Sequence, residues 1–185
     1  MRDLSLHLLD LVQNSVSAGA GLVTVRIQES VRNDLLTVSI IDDGCGMTEE
    51  FVRQVKSPFA TTRKTRKVGL GIPMLMENAR LSGGDLEIVS QVGKGTTLTA
   101  TFVISHIDRP PLGDLPGTMV TLIVGTPEKP DYVLDYTTDE GNYCFDTREI
   151  RAVLDGVPLD TPDVLEWIRQ ALVEGLESCH GGVNL

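Results

Sequence analysis

No apolar run in this chain of 185 residues approaches the roughly 20 residues that a membrane-spanning helix requires. The N-terminus also lacks the apolar core behind basic residues that marks a secretory signal, so a cytoplasmic protein is the expectation. Cysteine is scarce: Cys45, Cys144 and Cys179 are odd in number and far apart, with no Cys-x-x-Cys pair and no His-rich partner set. That leaves no reading as a disulfide framework or a metal site of its own. Clustered Lys and Arg occur in one place only, Arg63, Lys64, Arg66 and Lys67, in a chain of formal net charge -10. Nucleic-acid backbones are held by such clusters in number, so a nucleic-acid-coating protein is argued against. Internal repeats and low-complexity segments are absent as well.

What is present is ordinary for a globular protein: 41% hydrophobic and 23% charged residues, far from the signature of disorder. Leu4, Leu8, Leu11 and Val12 recur at three- and four-residue spacing, which predicts an amphipathic helix over 3–18, ended by Gly19 and Gly21. Val23, Val25 and Ile27 alternate with polar residues, as do Leu36, Val38 and Ile40, and predict a strand pair around the turn at 32–34. A glycine-rich turn, Asp42 to Gly46, closes it. A short helix near 49–55 follows, then a basic, Thr-rich stretch over 57–68 without periodicity, as in a mobile loop. A helix over 72–81 and a second strand pair, 86–90 and 97–103, complete the pattern. The expected fold is a two-layer α/β sandwich, a mixed and mostly antiparallel sheet with helices on one face, over residues 1–105. Residues 106–185 form a small α+β extension in this reading: a Pro-rich stretch over 106–116, a hairpin from 132–136 and 142–145, and a terminal helix over 164–176.

Three features carry chemistry. On the first helix His7, Asp10 and Asn14 fall within about 60° of one another, along the edge of the apolar stripe. A solvated face has the same look, but Asp and Asn are poor helix-interior residues, and their placement at i and i+4 points toward a site. In Asp42-Asp43-Gly44-Cys45-Gly46 the glycines permit a close backbone approach that side chains would block. Val68-Gly69-Leu70-Gly71 precedes a helix, where free N–H groups and the positive end of the dipole attract anions, and Arg63 and Lys67 stand just before it.

In order and spacing these segments resemble the boxes of the histidine-kinase-like ATPase superfamily, shared by histidine kinases, DNA gyrase, MutL-type mismatch-repair proteins and a class of heat-shock chaperone. The segment from Asp10 through Asn14 to Ala20 is similar to its first box and Asp42-Asp-Gly-Cys-Gly-Met47 to its second. Ser57-Pro-Phe-Ala-Thr-Thr-Arg63 resembles its Phe-containing box, and Gly69-Leu-Gly71 and Gly93-Lys-Gly-Thr96 its last two. The resemblance implies ATP and Mg2+ as ligands, with Asn14 on the metal and Asp42 accepting from the adenine amino group. It further implies Gly44, Gly46 and Met47 against the base, and Thr96 supporting the adenine contact. Gly69, Leu70 and Gly71 would meet the phosphates, and Phe59 to Val68 would form the lid, with Arg63 and Lys67 as its cations. Two positions depart from the family pattern. Asp10 stands where hydrolytic members carry Glu as general base, and Lys67 stands where an additional glycine is common.

The spacing and short lid look closest to the catalytic domain of histidine kinases. Those enzymes carry the phosphate-accepting His on a helical domain upstream of this unit. The acceptor is therefore expected in a partner protein, with the chain acting in trans on His or Ser. His7 is an internal candidate, although a residue supporting the metal site or a plain surface position suits it better. An ATP-hydrolysing conformational switch and a non-catalytic nucleotide sensor that binds a partner through residues 106–185 are the alternatives.

Overall fold

The computed structural model describes residues 3–56 and 70–180. The first helix, α1 (Leu4–Ser17), begins where the Asp3 carboxylate accepts from the Leu6 N–H at 3.0 Å, which satisfies one of the donors a helix start leaves free. It ends at Ala18 and Gly19, the glycine taking a left-handed φ of 73°. Two strands follow, β1 (Leu22–Ser30) and β2 (Leu35–Asp42), then the short α2 (Glu49–Val55), capped by Thr48. Next come α3 (Gly71–Leu81) and the antiparallel pair β3 (Leu86–Gln91) and β4 (Gly95–Val103). The remaining elements are α4 (Leu115–Gly125), β5 (Asp131–Thr138), β6 (Asn142–Asp146), α5 (Thr147–Leu154) and α6 (Pro162–Ser178).

The six strands form one sheet in the order β3-β4-β2-β1-β5-β6, antiparallel except where β5 lies parallel to β1. One cross-strand row shows why it holds: Ile88, Leu98, Ile40, Val25, Leu134 and Phe145 are successive partners across all six strands, and every one is buried. One residue along each strand, the row Glu87, Thr99, Ser39, Arg26, Asp135 and Cys144 is polar apart from its thiol, as period-two alternation requires. The helices cover the apolar side. Leu4, Leu8, Leu11 and Val12 of α1 and Leu75 and Ala79 of α3 are buried in the same core as the sheet row. The expected α/β fold class is therefore the observed one.

Residues after 105 continue this sheet rather than starting another. The expected hairpin is β5 and β6, and its Tyr132, Leu134 and Tyr136 pair with Val23, Val25 and Ile27 of β1. Tyr143 of β6 lies against Gly175 of α6, where a side chain would collide with its ring, and its hydroxyl donates to the Ala171 carbonyl at 3.1 Å. Two helices went unread in the sequence. α4 follows the Pro-rich stretch with Pro116 in its first turn, where a missing N–H costs nothing. It contacts both α1 and α6, and its Leu115, Met119, Leu122 and Ile123 are buried. α5 is capped by Asp146 at the end of β6.

Candidate functional site

The turn after β2 is fastened on two sides. The Cys45 N–H donates to the Ala18 carbonyl at the end of α1 (3.0 Å), while the Cys45 carbonyl accepts from the Gly93 N–H in the β3–β4 turn (2.8 Å). Asp43 secures its base by accepting from the Gly21 and Leu22 N–H groups at 2.7 and 2.9 Å. Gly46 has a φ of 67°, and a Cβ there would collide with the Gln91 carbonyl, so glycine is required on both counts. Gly44 is buried, with Ala18 and Asp42 as the nearest neighbours of any side chain placed on it.

Beside this turn opens a pocket of about 650 Å³. Leu11, Ile40, Met47, Ile72 and Leu98 supply apolar wall, and Asn14, Asp42 and Thr96 supply polar groups. Asp42 and Thr96 are direct cross-strand partners on β2 and β4, which sets the carboxylate and the hydroxyl next to each other. One oxygen of Asp42 accepts from the Ser15 hydroxyl at 2.7 Å and the other from the Gly44 N–H at 3.0 Å. A carboxylate has about four lone-pair sites, so two such bonds orient Asp42 and leave it able to accept from a ligand.

Asn14, one turn beyond Asp10 on α1, is half-buried in the pocket wall. Its Nδ2 is shut away from solvent without a hydrogen-bond partner among the described residues. That nitrogen is a donor only, so a cation at this wall would meet the amide oxygen instead. Among the described residues no three His, Cys, Asp or Glu side chains gather to hold a metal. A single amide oxygen fits Mg2+, which is commonly bound by few protein ligands together with substrate phosphates and waters.

Asp10 is not in the pocket wall. It lies against the start of α3, where a Cβ on the buried Gly71 would strike its carboxylate. That helix starts at Leu70 with no side-chain cap hydrogen bond among the described residues, and a helix start leaves N–H groups that a ligand can meet. Leu70 itself is exposed. Arg63, Lys67 and Gly69, with the rest of the expected lid from Phe59 to Val68, lie outside the described residues. His7 departs from the surface alternative: it is 1% exposed, its Nε2 lies 2.8 Å from Asn78 Nδ2, and burial pushes its imidazole below the usual histidine range. Asn78 Nδ2 can only donate, so His7 Nε2 accepts.

Two residues of this arrangement had no role in the sequence reading. Ser15, which orients Asp42, stands directly after Asn14, and its place within the first box was the available signal. Ser90 on β3 accepts from the Met47 N–H at 2.8 Å and touches Thr96 Oγ1 at 2.8 Å and the Gly95 carbonyl at 3.0 Å. It has no local signature, because its partners come from a distant turn and a neighbouring strand.

A model of the histidine kinase-, DNA gyrase B- and HSP90-like ATPases matches residues 2–106. The chain belongs to this ATPase family. Among curated relatives it is similar to the sensor histidine kinase WalK of Bacillus subtilis, 34% identical over 100 residues that make up 50% of this chain and 16% of WalK. It is similar, too, to the non-motile and phage-resistance protein of Caulobacter vibrioides, 32% identical over 111 residues, 55% of this chain and 13% of that protein. A putative sensor protein of Shewanella frigidimarina is 31% identical over 105 residues, 55% of this chain and 16% of that protein. The chain thus spans less than a fifth of each of these relatives' lengths. It carries an ATP-binding domain of the kinase-like type, and among the described residues no helix is long and apolar enough to cross a membrane.

Membership in the ATPase family gives the Ser15 contact a measurable consequence. Ser15→Ala removes a 2.7 Å bond from Asp42, and the net worth of such a bond is about 1 kcal/mol, so ADP affinity is expected to fall roughly fivefold. Calorimetric titration with ADP measures this, and an unchanged affinity would mean that the Ser15–Asp42 bond has no bearing on nucleotide binding.

Proposed function

We propose that this chain is the ATP-binding catalytic unit of a cytoplasmic signal-transduction kinase, using Mg2+ and acting in trans on a His or Ser of a partner protein. The observation that carries the reading is the pairing of Asp42 with Thr96 at an apolar pocket whose α1 wall holds Asn14. Asp42 accepts from the adenine amino group, with Gly44, Gly46 and Met47 against the base and Thr96 supporting the contact. Asn14 holds the metal, which when bound neutralises phosphate charge. The N–H groups of Leu70 and Gly71 at the start of α3 meet the phosphates, joined by Gly69, Arg63 and Lys67 of the preceding segment. Asp10 acts as general base. The similarity to named sensor kinases supports phosphotransfer as the chemistry.

Incubation with ATP labelled on the γ-phosphate and with co-purifying protein tests this reading. Label on a partner is the expected result. Free phosphate without transfer would replace the kinase by an ATP-hydrolysing switch, and binding with neither would leave a nucleotide sensor.

The base assignment predicts that ATP and ADP bind and GTP does not, because a carboxylate accepts from an amino group and repels the carbonyl that guanine carries in its place. Asp42→Asn is expected to weaken ADP binding by about 1 to 3 kcal/mol, the cost of losing a charged acceptor. Calorimetry with adenine and guanine nucleotides checks both. Equal affinity of the wild type for GTP would remove the adenine assignment.

A further inference from the structure

Ser90 makes three polar contacts through one hydroxyl, and their chemistry fixes where its proton goes. The Met47 N–H, 2.8 Å from Ser90 Oγ, is a donor only. The Gly95 carbonyl, 3.0 Å away, is an acceptor only. Thr96 Oγ1, at 2.8 Å, can act in either sense. A serine hydroxyl has one proton and two lone pairs. All three contacts are hydrogen bonds under a single assignment: Ser90 donates to Gly95, accepts from Met47, and accepts from the Thr96 hydroxyl. The proton of Thr96 is thereby committed to Ser90, and Thr96 turns only lone pairs toward the pocket that it lines. Its cross-strand partner Asp42 offers lone pairs as well. Neither side chain of this cross-strand pair therefore offers a donor to the pocket.

From this the geometry assigns Ser90 as a specificity-determining positioning residue: by holding the Thr96 proton it keeps the Asp42–Thr96 pair acceptor-only, which favours a base carrying an exocyclic amino group over one carrying a ring carbonyl. The assignment rests on the reading of Asp42 and Thr96 as the base-binding pair. Ser90 does not touch the base. It acts through Thr96, and through the Met47 N–H it ties the glycine turn to the same hydroxyl.

ADP and inosine diphosphate separate this role from plain structural support, since hypoxanthine replaces the adenine amino group by a carbonyl. In Ser90→Ala the Thr96 hydroxyl loses its acceptor, rotates, and donates into the pocket, where it meets the inosine carbonyl. The preference for ADP over inosine diphosphate, measured by calorimetry, is expected to fall by about tenfold, the scale of one hydrogen bond gained on one side and weakened on the other. Ser90→Thr, which restores a hydroxyl on the same carbon, is expected to keep the wild-type preference. Adding Thr96→Val to Ser90→Ala is expected to abolish the gain for inosine diphosphate, because the freed hydroxyl is the group that makes it. A Ser90→Ala protein that loses affinity for both nucleotides equally would overturn the assignment, as would a Ser90→Thr protein with a reduced preference. A wild type with no preference for ADP would instead overturn the base-binding reading of Asp42 beneath it.

Discussion

Replacing Asp10 by Asn is expected to leave ATP affinity nearly unchanged while turnover falls by roughly 100-fold or more, the usual scale of general-base catalysis. The substitution keeps the size of the side chain and removes its basicity. Asp10 is one turn before Asn14 on α1 but lies outside the pocket wall, against Gly71 at the start of α3, so its loss takes no contact from the base. The place is also tight: a glycine at 71 is what admits the carboxylate. Asp10→Glu, the residue of the hydrolytic relatives, adds a methylene that has to clear the first turn of α3. Activity gained in that variant would mark the chain as a nucleotide sensor derived from an enzyme. Activity lost would show that Asp10 is fitted to its own acceptor. Phosphate release by Asp10→Asn as fast as by the wild type would end the general-base role.

The second large effect is expected at Asn14. Asn14→Ala should weaken the part of ATP affinity that depends on Mg2+ by about 10- to 100-fold, and activity should fall with it, since Asn14 would hold the metal that offsets phosphate charge. Titration with and without Mg2+ reads the difference directly. The metal-independent part, which rests on Asp42 and the apolar wall, is expected to survive. Binding of Mg-ATP at wild-type strength by Asn14→Ala would remove Asn14 from the metal. The two variants are thus separable, one losing chemistry with binding intact and the other losing both.

Much of the fold is legible from local pattern. The α1 stripe of Leu4, Leu8, Leu11 and Val12, and the alternations in β1 to β4, are period signals that the core then uses without change, because one face of each element is buried and the other is not. α4 was illegible for the opposite reason. It is apolar over most of its length and lies between α1 and α6, so no polar face gives it a period, and Pro116 in its first turn looks like a breaker. The burial of His7 is not legible in the sequence, because helix geometry sets which edge a residue occupies and not what covers that edge. α3 covers it, through Asn78.

The sequence by itself determined the candidate residue types and their order: Asp10 and Asn14 one turn apart, and a glycine turn directly after a strand ending in Asp42. These are local features, written in neighbouring residues and therefore readable without a fold. Only the tertiary structure decided which groups meet. Pairing of β2 with β4 sets Thr96 beside Asp42, and pairing of β3 with β4 brings Ser90 to Thr96 while the glycine turn carries Met47 to it. The parallel pairing of β5 with β1, more than 100 residues later in the chain, makes the C-terminal strands part of the same sheet. Such contacts depend on register, and a shift of one residue sends every side chain to the opposite face. The direction of a proton in the pocket therefore belongs to the assembled sheet rather than to any segment of the chain.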